Sequence, residues 1–216
     1  MKKFLSALAL SAASFLPTVA QASLLPSGVH NDVAASTVTG TWGFTQCYSS
    51  SYGASGTSIS SILAGCSGDY LMMAARRVGS AVFEVLAAAN FDDVTFDTGY
   101  GNVTHAANGV EWYFSPSYSW GFAGAGDTVS RNSCDTNGMS ERDRLCWHTG
   151  GGFMNGGWRA GTFSGLNSDY GWEKVLLVGS AQPSNNVPEP ATVALLSLGL
   201  LGFAASRRKS ANKKNA

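Results

Sequence analysis

The 216-residue chain has few histidines and few lysines, and the catalytic signatures built on them are missing. His30, His105 and His148 are scattered without the spacing of metal ligands, and no HExxH, phosphate-binding loop or dinucleotide fingerprint is present. The nucleophile elbow GxSxG is also missing: in "GASGT" and "GTFSG" the second glycine stands one place early. Five of the six lysines lie near the two ends, leaving Lys174 alone between residues 23 and 187. That region carries seven cations against thirteen acids, a formal charge of −6. A basic face for nucleic acid or anionic lipid is therefore excluded. Long apolar runs are missing as well, except at the termini.

The N-terminus opens with Met1-Lys2-Lys3, continues in an apolar run from Phe4 to Leu16, and reaches the small-x-small triplet Ala20-Gln21-Ala22 after Pro17. This order predicts a secretory signal peptide over residues 1–22, cut before Ser23. The run is too short for a membrane span of about 20 apolar residues. The C-terminus reads "VPEPATVALLSLGLLGFAASRRKSANKKNA". Ala191 to Ser206 carries no charge, and as a helix would reach roughly 24 Å at about 1.5 Å per residue. Pro190 suits a first helical position, and Arg207, Arg208 and Lys209 follow as a stop-transfer cluster, which predicts residues 210–216 as a basic cytoplasmic tail.

The succession of Pro188-Glu189-Pro190, an apolar segment containing "LGLLG", and Arg207-Arg208 resembles the PEP-CTERM sorting signal of exosortase substrates in Gram-negative bacteria. The resemblance covers residues 188–209. It implies recognition of Pro188, Glu189 and Pro190 by an exosortase-type membrane protease, with the precursor held transiently in the inner membrane. Cleavage near the motif then delivers the ectodomain to the cell surface or the extracellular matrix. Two prolines flanking a glutamate hold the backbone extended and deny it helical hydrogen bonds, which keeps nearby peptide bonds open to a protease. The alternative is a permanently anchored single-span membrane protein.

Between the signals, residues 23–179 are expected to form one mostly β ectodomain, with residues 180–187 ("SAQPSNNV") as a linker. "TWGFTQCYS", "GVEWYFSPSYSWGF", "DYLMMAARR", "VTFDTG" and "WEKVLLVG" predict strands, the third of them central, while "AVFEVLAAA" fits either period. Ile59, Ile62, Leu63 and Cys66 at i, i+3, i+4 and i+7 predict one short helix, capped from residues 56–58. "GGGFMNGGWRAG" predicts tight loops. The expected fold is an antiparallel sandwich. Four cysteines in an oxidising compartment allow three pairings, of which nearness in sequence favours Cys47 with Cys66 and Cys134 with Cys146.

Candidates for chemistry are few. Glu111 and Glu173, each beside a tryptophan, offer a glycosidase-like carboxylate pair, against the simpler expectation of two solvated strand faces. Asp135, Asn137, Glu141 and Asp143 in "CDTNGMSERD" supply oxygen ligands suited to Ca²⁺ without EF-hand spacing, against the simpler expectation of an Asx turn with no metal. Cys146-Trp147-His148 is no protease dyad, because neighbours on a strand point apart. Alternation of Tyr118, Trp120 and Phe122 predicts a core-lining face. Trp112 and Trp158 are the candidates for stacking on sugar rings. The expectation is thus a non-enzymatic exported protein without a cofactor, binding polysaccharide; the alternative is a secreted hydrolase acting on glycans.

Overall fold

A computed structural model describes residues 23–138 and 141–181. The expected signal peptide, most of the linker, the Pro188-Glu189-Pro190 motif, the apolar span and its basic cluster lie outside the described residues. No helix among the described residues is long and apolar enough to cross a membrane.

The described residues are mostly β, in two antiparallel sheets. In chain order the elements are β1 (Val29–Ala34), β2 (Thr45–Ser51), β3 (Thr57–Ser58), α1 (Ile59–Gly65), β4 (Tyr70–Arg77), β5 (Val82–Asn90), α2 (Phe91–Val94), β6 (His105–Ala107), β7 (Val110–Phe114), β8 (Ser119–Gly124), β9 (Leu145–Gly150), β10 (Phe153–Ala160), β11 (Phe163–Ser164) and β12 (Trp172–Gly179). The first sheet runs β1-β5-β4-β12-β2, and the second runs β11-β10-β9-β8-β7-β6 with β3 also paired to β10.

Strand β4 is the middle strand of the first sheet, and its unbroken apolar sequence follows from that place. Leu71, Met73 and Ala75 enter one core cluster, while Met72 and Ala74 enter another on the opposite face. A strand covered on both sides has no reason to alternate. The larger cluster draws on both sheets: Leu71, Met73, Val85, Trp172 and Leu176 from the first pack with Trp112, Phe114, Trp120, Phe122, Leu145 and Trp147 from the second. Trp112, Trp120, Trp147 and Trp172 are all fully buried. Each buried aromatic removes roughly 150–250 Å² from water, so these four are a large part of the hydrophobic driving force.

Both outer faces are covered too. Val38 in a turn of π-helix (Thr37–Thr41), with Phe44 and the partly buried Leu25 and Trp42, packs over Met72, Ala74, Val175 and Leu177 of the first sheet. The excursion between β8 and β9 lays Val129 and Cys134 against Tyr113, Ala123 and Cys146 of the second.

Helix α1 begins where expected, with Ser58 at its N-cap, and buries Ile59 and Ile62. Strand β2 starts four residues later than "TWGFTQCYS" predicts, because Thr37–Thr41 closes a helical turn and Trp42 caps it. Residues 94–99 are not a strand. Phe91 starts α2, and the Asp97 carboxylate accepts the Gly99 N–H at 2.8 Å, leaving only an isolated bridge from Asp97 to Phe114. The glycine-rich stretch 150–161 is also corrected: Gly151 and Gly152 make the positive-φ turn, but Phe153–Ala160 is strand β10. Gly157 serves a close approach there, since a Cβ would lie 2.0 Å from the Tyr52 ring.

The two ends of the described region meet at one pole. The Ser23 N–H donates to Ser180 O at 2.9 Å, and Ser180 N–H donates to Ser23 Oγ at 3.0 Å. Ala181 N–H then donates to Asp69 Oδ2 at 2.8 Å.

Candidate functional site

The cysteines form two disulfides, Cys47–Cys66 and Cys134–Cys146, and no described cysteine is free. The first ties edge strand β2 to the end of α1. The second fastens the β8–β9 excursion to β9.

The residues offered for metal and acid chemistry have structural occupations. Asp135 is fully buried: its Oδ1 accepts from the Ser130 and Asn137 N–H groups, and its Oδ2 pairs with Nη1 of the fully buried Arg144. Arg144 also faces Asp127 at 3.3 Å and donates to Thr128 O at 3.1 Å. Asp143 accepts from Asn31 at 2.6 Å, while Glu141 is exposed in a 3-10 turn. The four proposed calcium ligands therefore do not converge, and no cluster of three or more His, Cys, Asp or Glu side chains suited to a metal occurs among the described residues. Arg142 and Arg144 in the same stretch are the sequence sign against a cation there, and Arg144 consumes the central carboxylate.

Glu173 stands opposite Arg76 across the β12–β4 pair and accepts its Nε–H at 2.7 Å. Glu111 lies on the other sheet, where its carboxylate accepts from Thr104 Oγ1 at 2.7 Å and Gly126 N–H at 3.2 Å. Each carboxylate is tied into its own sheet. His105 pairs with Asp93 at 2.8 Å, and His30 and His148 meet the backbone carbonyls of Ser27 and Ser133.

Of the two tryptophans proposed for sugar stacking, Trp112 is corrected and only the expected loop setting of Trp158 changes. Trp112 is buried in the shared core, its indole N–H donating to Ala107 O at 3.1 Å, so it offers no surface. Trp158 is half-buried on β10 rather than in a loop; it packs against the excursion, edge-on to His148, and its indole nitrogen is buried. Trp120 and Phe122 do line the core, whereas Tyr118 does not: it precedes β8, is half-exposed, and donates its hydroxyl to Arg131 O at 2.6 Å.

The exposed aromatics sit elsewhere, on the loop between α2 and β6. Phe96 is 53% exposed and stacks on His105, and Tyr100 is 66% exposed and leans on Tyr118 with centroids 5.2 Å apart. Beneath them lies the buried Arg131. Its guanidinium covers the Tyr113 and Tyr118 rings and donates to the carbonyls of Gly99, Gly101 and Val103. Its backbone N–H donates to Asn102 Oδ1 at 2.7 Å. Burial pulls the Arg131 pKa down, against the nearby acidic groups that hold it up. One arginine of the excursion thus fixes alternate carbonyls of a neighbouring surface loop. The sequence sign of this loop is "TGYGN", an aromatic between two glycines that both adopt positive φ.

The fold and these surfaces define a region of antiparallel β-sheets stapled by disulfides, and the tail beyond it carries the sorting information. Residues 186–209 match the family model of the PEP-CTERM protein-sorting motif, a span that takes in Pro188-Glu189-Pro190, the apolar segment and Arg207 to Lys209. The tail is therefore a PEP-CTERM sorting motif, which implies exosortase processing and export toward the cell surface. No curated protein matches the chain. No solved structure matches it either.

Proposed function

We propose that the chain is the precursor of a non-enzymatic surface or matrix protein of a Gram-negative bacterium. Residues 1–22 direct export, and the β region folds outside as a two-sheet sandwich. An exosortase-type membrane protease then acts near Pro188-Glu189-Pro190, while residues 191–206 hold the precursor in the inner membrane. The observation that carries this reading is the sorting motif at residues 186–209.

On the same reading, the activity of the exported domain is binding of extracellular polysaccharide. Support comes from the exposed aromatic side chains held on a braced loop, which suit the apolar faces of sugar rings. Glu111 and Glu173 are engaged in separate structural contacts, which supports a binding role over hydrolysis. Co-sedimentation with insoluble polysaccharides tests the reading. Retention without release of reducing sugar supports it, and release of reducing sugar, or no retention on any polymer, contradicts it.

A further inference from the structure

We infer that the loop Phe96–His105 is the glycan-contacting surface, and that its partner is a polymer of amino sugars rather than an acidic polysaccharide. The inference rests on the polysaccharide-binding reading above and assigns it to residues. This loop exposes apolar side chains while its backbone is held by a buried arginine through the carbonyls of Gly99, Gly101 and Val103. Burying a guanidinium costs free energy, and here its donors serve only to fix loop backbone and Ser119 Oγ. Fixing a loop in advance removes the ordering cost that binding would otherwise carry. The side chains so presented are Phe96, Tyr100 and Val103, each more than half exposed, with Tyr118 bracing the Tyr100 ring.

Charge decides the class of sugar. Few cations between residues 23 and 181 are left for a ligand: Arg131, Arg144, Arg159 and Lys174 are buried, Arg76 pairs with Glu173, and the exposed Arg142 pairs with Asp32. Arg77 lies over the Phe163 and Trp172 rings, away from this loop on the other sheet. The loop carries the exposed Asp97 next to Phe96, and the exposed Asp92 stands in α2, which leads into the loop. A polyuronate would meet like charge at this surface, whereas the ammonium of a glucosamine unit would meet these carboxylates while its ring lies on Tyr100.

The test uses the full-length chain purified in detergent, with a soluble glucosamine hexamer and an alginate oligomer as probes in calorimetric titrations. Binding of the hexamer, weakened about tenfold or more (~1.4 kcal/mol) by Tyr100→Ala, weakened by Asp97→Asn, and unchanged by Tyr170→Ala at another exposed tyrosine, would support the inference. Simple attraction of a cationic oligomer to an acidic protein would survive Tyr100→Ala, and that result would overturn the assignment while leaving polysaccharide binding in place. Preferential binding of alginate would overturn the assignment of class. Failure to bind either oligomer or any insoluble polysaccharide would remove both the inference and the reading beneath it. Tyr100 is exposed, so a melting temperature equal to wild type separates lost contact from lost fold.

Discussion

Lys174 gives the folded region a pH dependence that can be worked out from its place in the core. It lies on β12 between Trp172 and Leu176, on the face turned to the other sheet, and is fully buried. Its Nζ donates to the carbonyls of Ala54 at 2.9 Å and Asn155 at 2.5 Å, with no carboxylate in the contact. Burial disfavours the ammonium and lowers the pKa from 10.5 to about 8. A base with a lowered native pKa binds fewer protons folded than unfolded between those two values, so stability rises with pH across that window. The gain from pH 7 to pH 10 is about 2–3 kcal/mol, which for a domain of this size is roughly 5–10 °C in melting temperature. Above about pH 10 the trend reverses, because Tyr52 and Tyr113, both raised by burial, must stay neutral in the fold while unfolded tyrosine ionises. Thermal melts followed by circular dichroism should therefore peak on the alkaline side. Lys174→Met should flatten the rise while changing stability at pH 7 by only about 1–2 kcal/mol, since relief of the buried charge offsets the two carbonyls left without a donor. A melting temperature that is level or falls between pH 7.5 and 9.5, or a rise that persists in the methionine variant, would refute this account of Lys174.

Non-reducing peptide mapping should recover Cys47 with Cys66 and Cys134 with Cys146; a crossed pairing or free thiols would contradict the fold. Reduction should cost about 3 kcal/mol per bridge in the chain-entropy model, read as an earlier denaturant midpoint. Arg144→Met should destabilise by about 3–5 kcal/mol, because it leaves the fully buried Asp135 carboxylate without its cation. That loss should be much reduced when Asp135→Asn is added, and equal losses in the single and double variants would show that the pair is not what holds the excursion.

Elements whose side chains face one environment were legible in the sequence, and those depending on distant partners were not. The α1 stripe and the apolar β4 run each state their burial locally, so Ile59–Gly65 and Tyr70–Arg77 followed from pattern. Residues 94–99 carry β-forming Val, Thr and Phe, but Asp97 and Thr98 make their bonds within the loop and to Phe114, contacts no local pattern encodes. Strand β10 was hidden because Gly156 and Gly157 accommodate Asn167 and Tyr52, residues far from them in sequence. The same reason explains Trp112: its burial depends on side chains of the first sheet, far from it in sequence, packing against β7. Nothing local to Arg131 or Arg144 signals burial, which only the fold of the excursion supplies. The sorting tail was the easiest part to read, since its motif lies within one short contiguous segment.

The central claim is that the tail directs processing rather than simply anchoring the chain. Its most direct test is to express the wild type and Glu189→Ala in a Gram-negative host that carries an exosortase-type protease, then compare the mass and location of the product by fractionation. The account predicts a wild-type product that has lost the tail and left the inner membrane, and a substituted precursor of full tail length retained there. Products of identical mass and location, both still in the inner membrane, would contradict it and leave a single-span membrane protein.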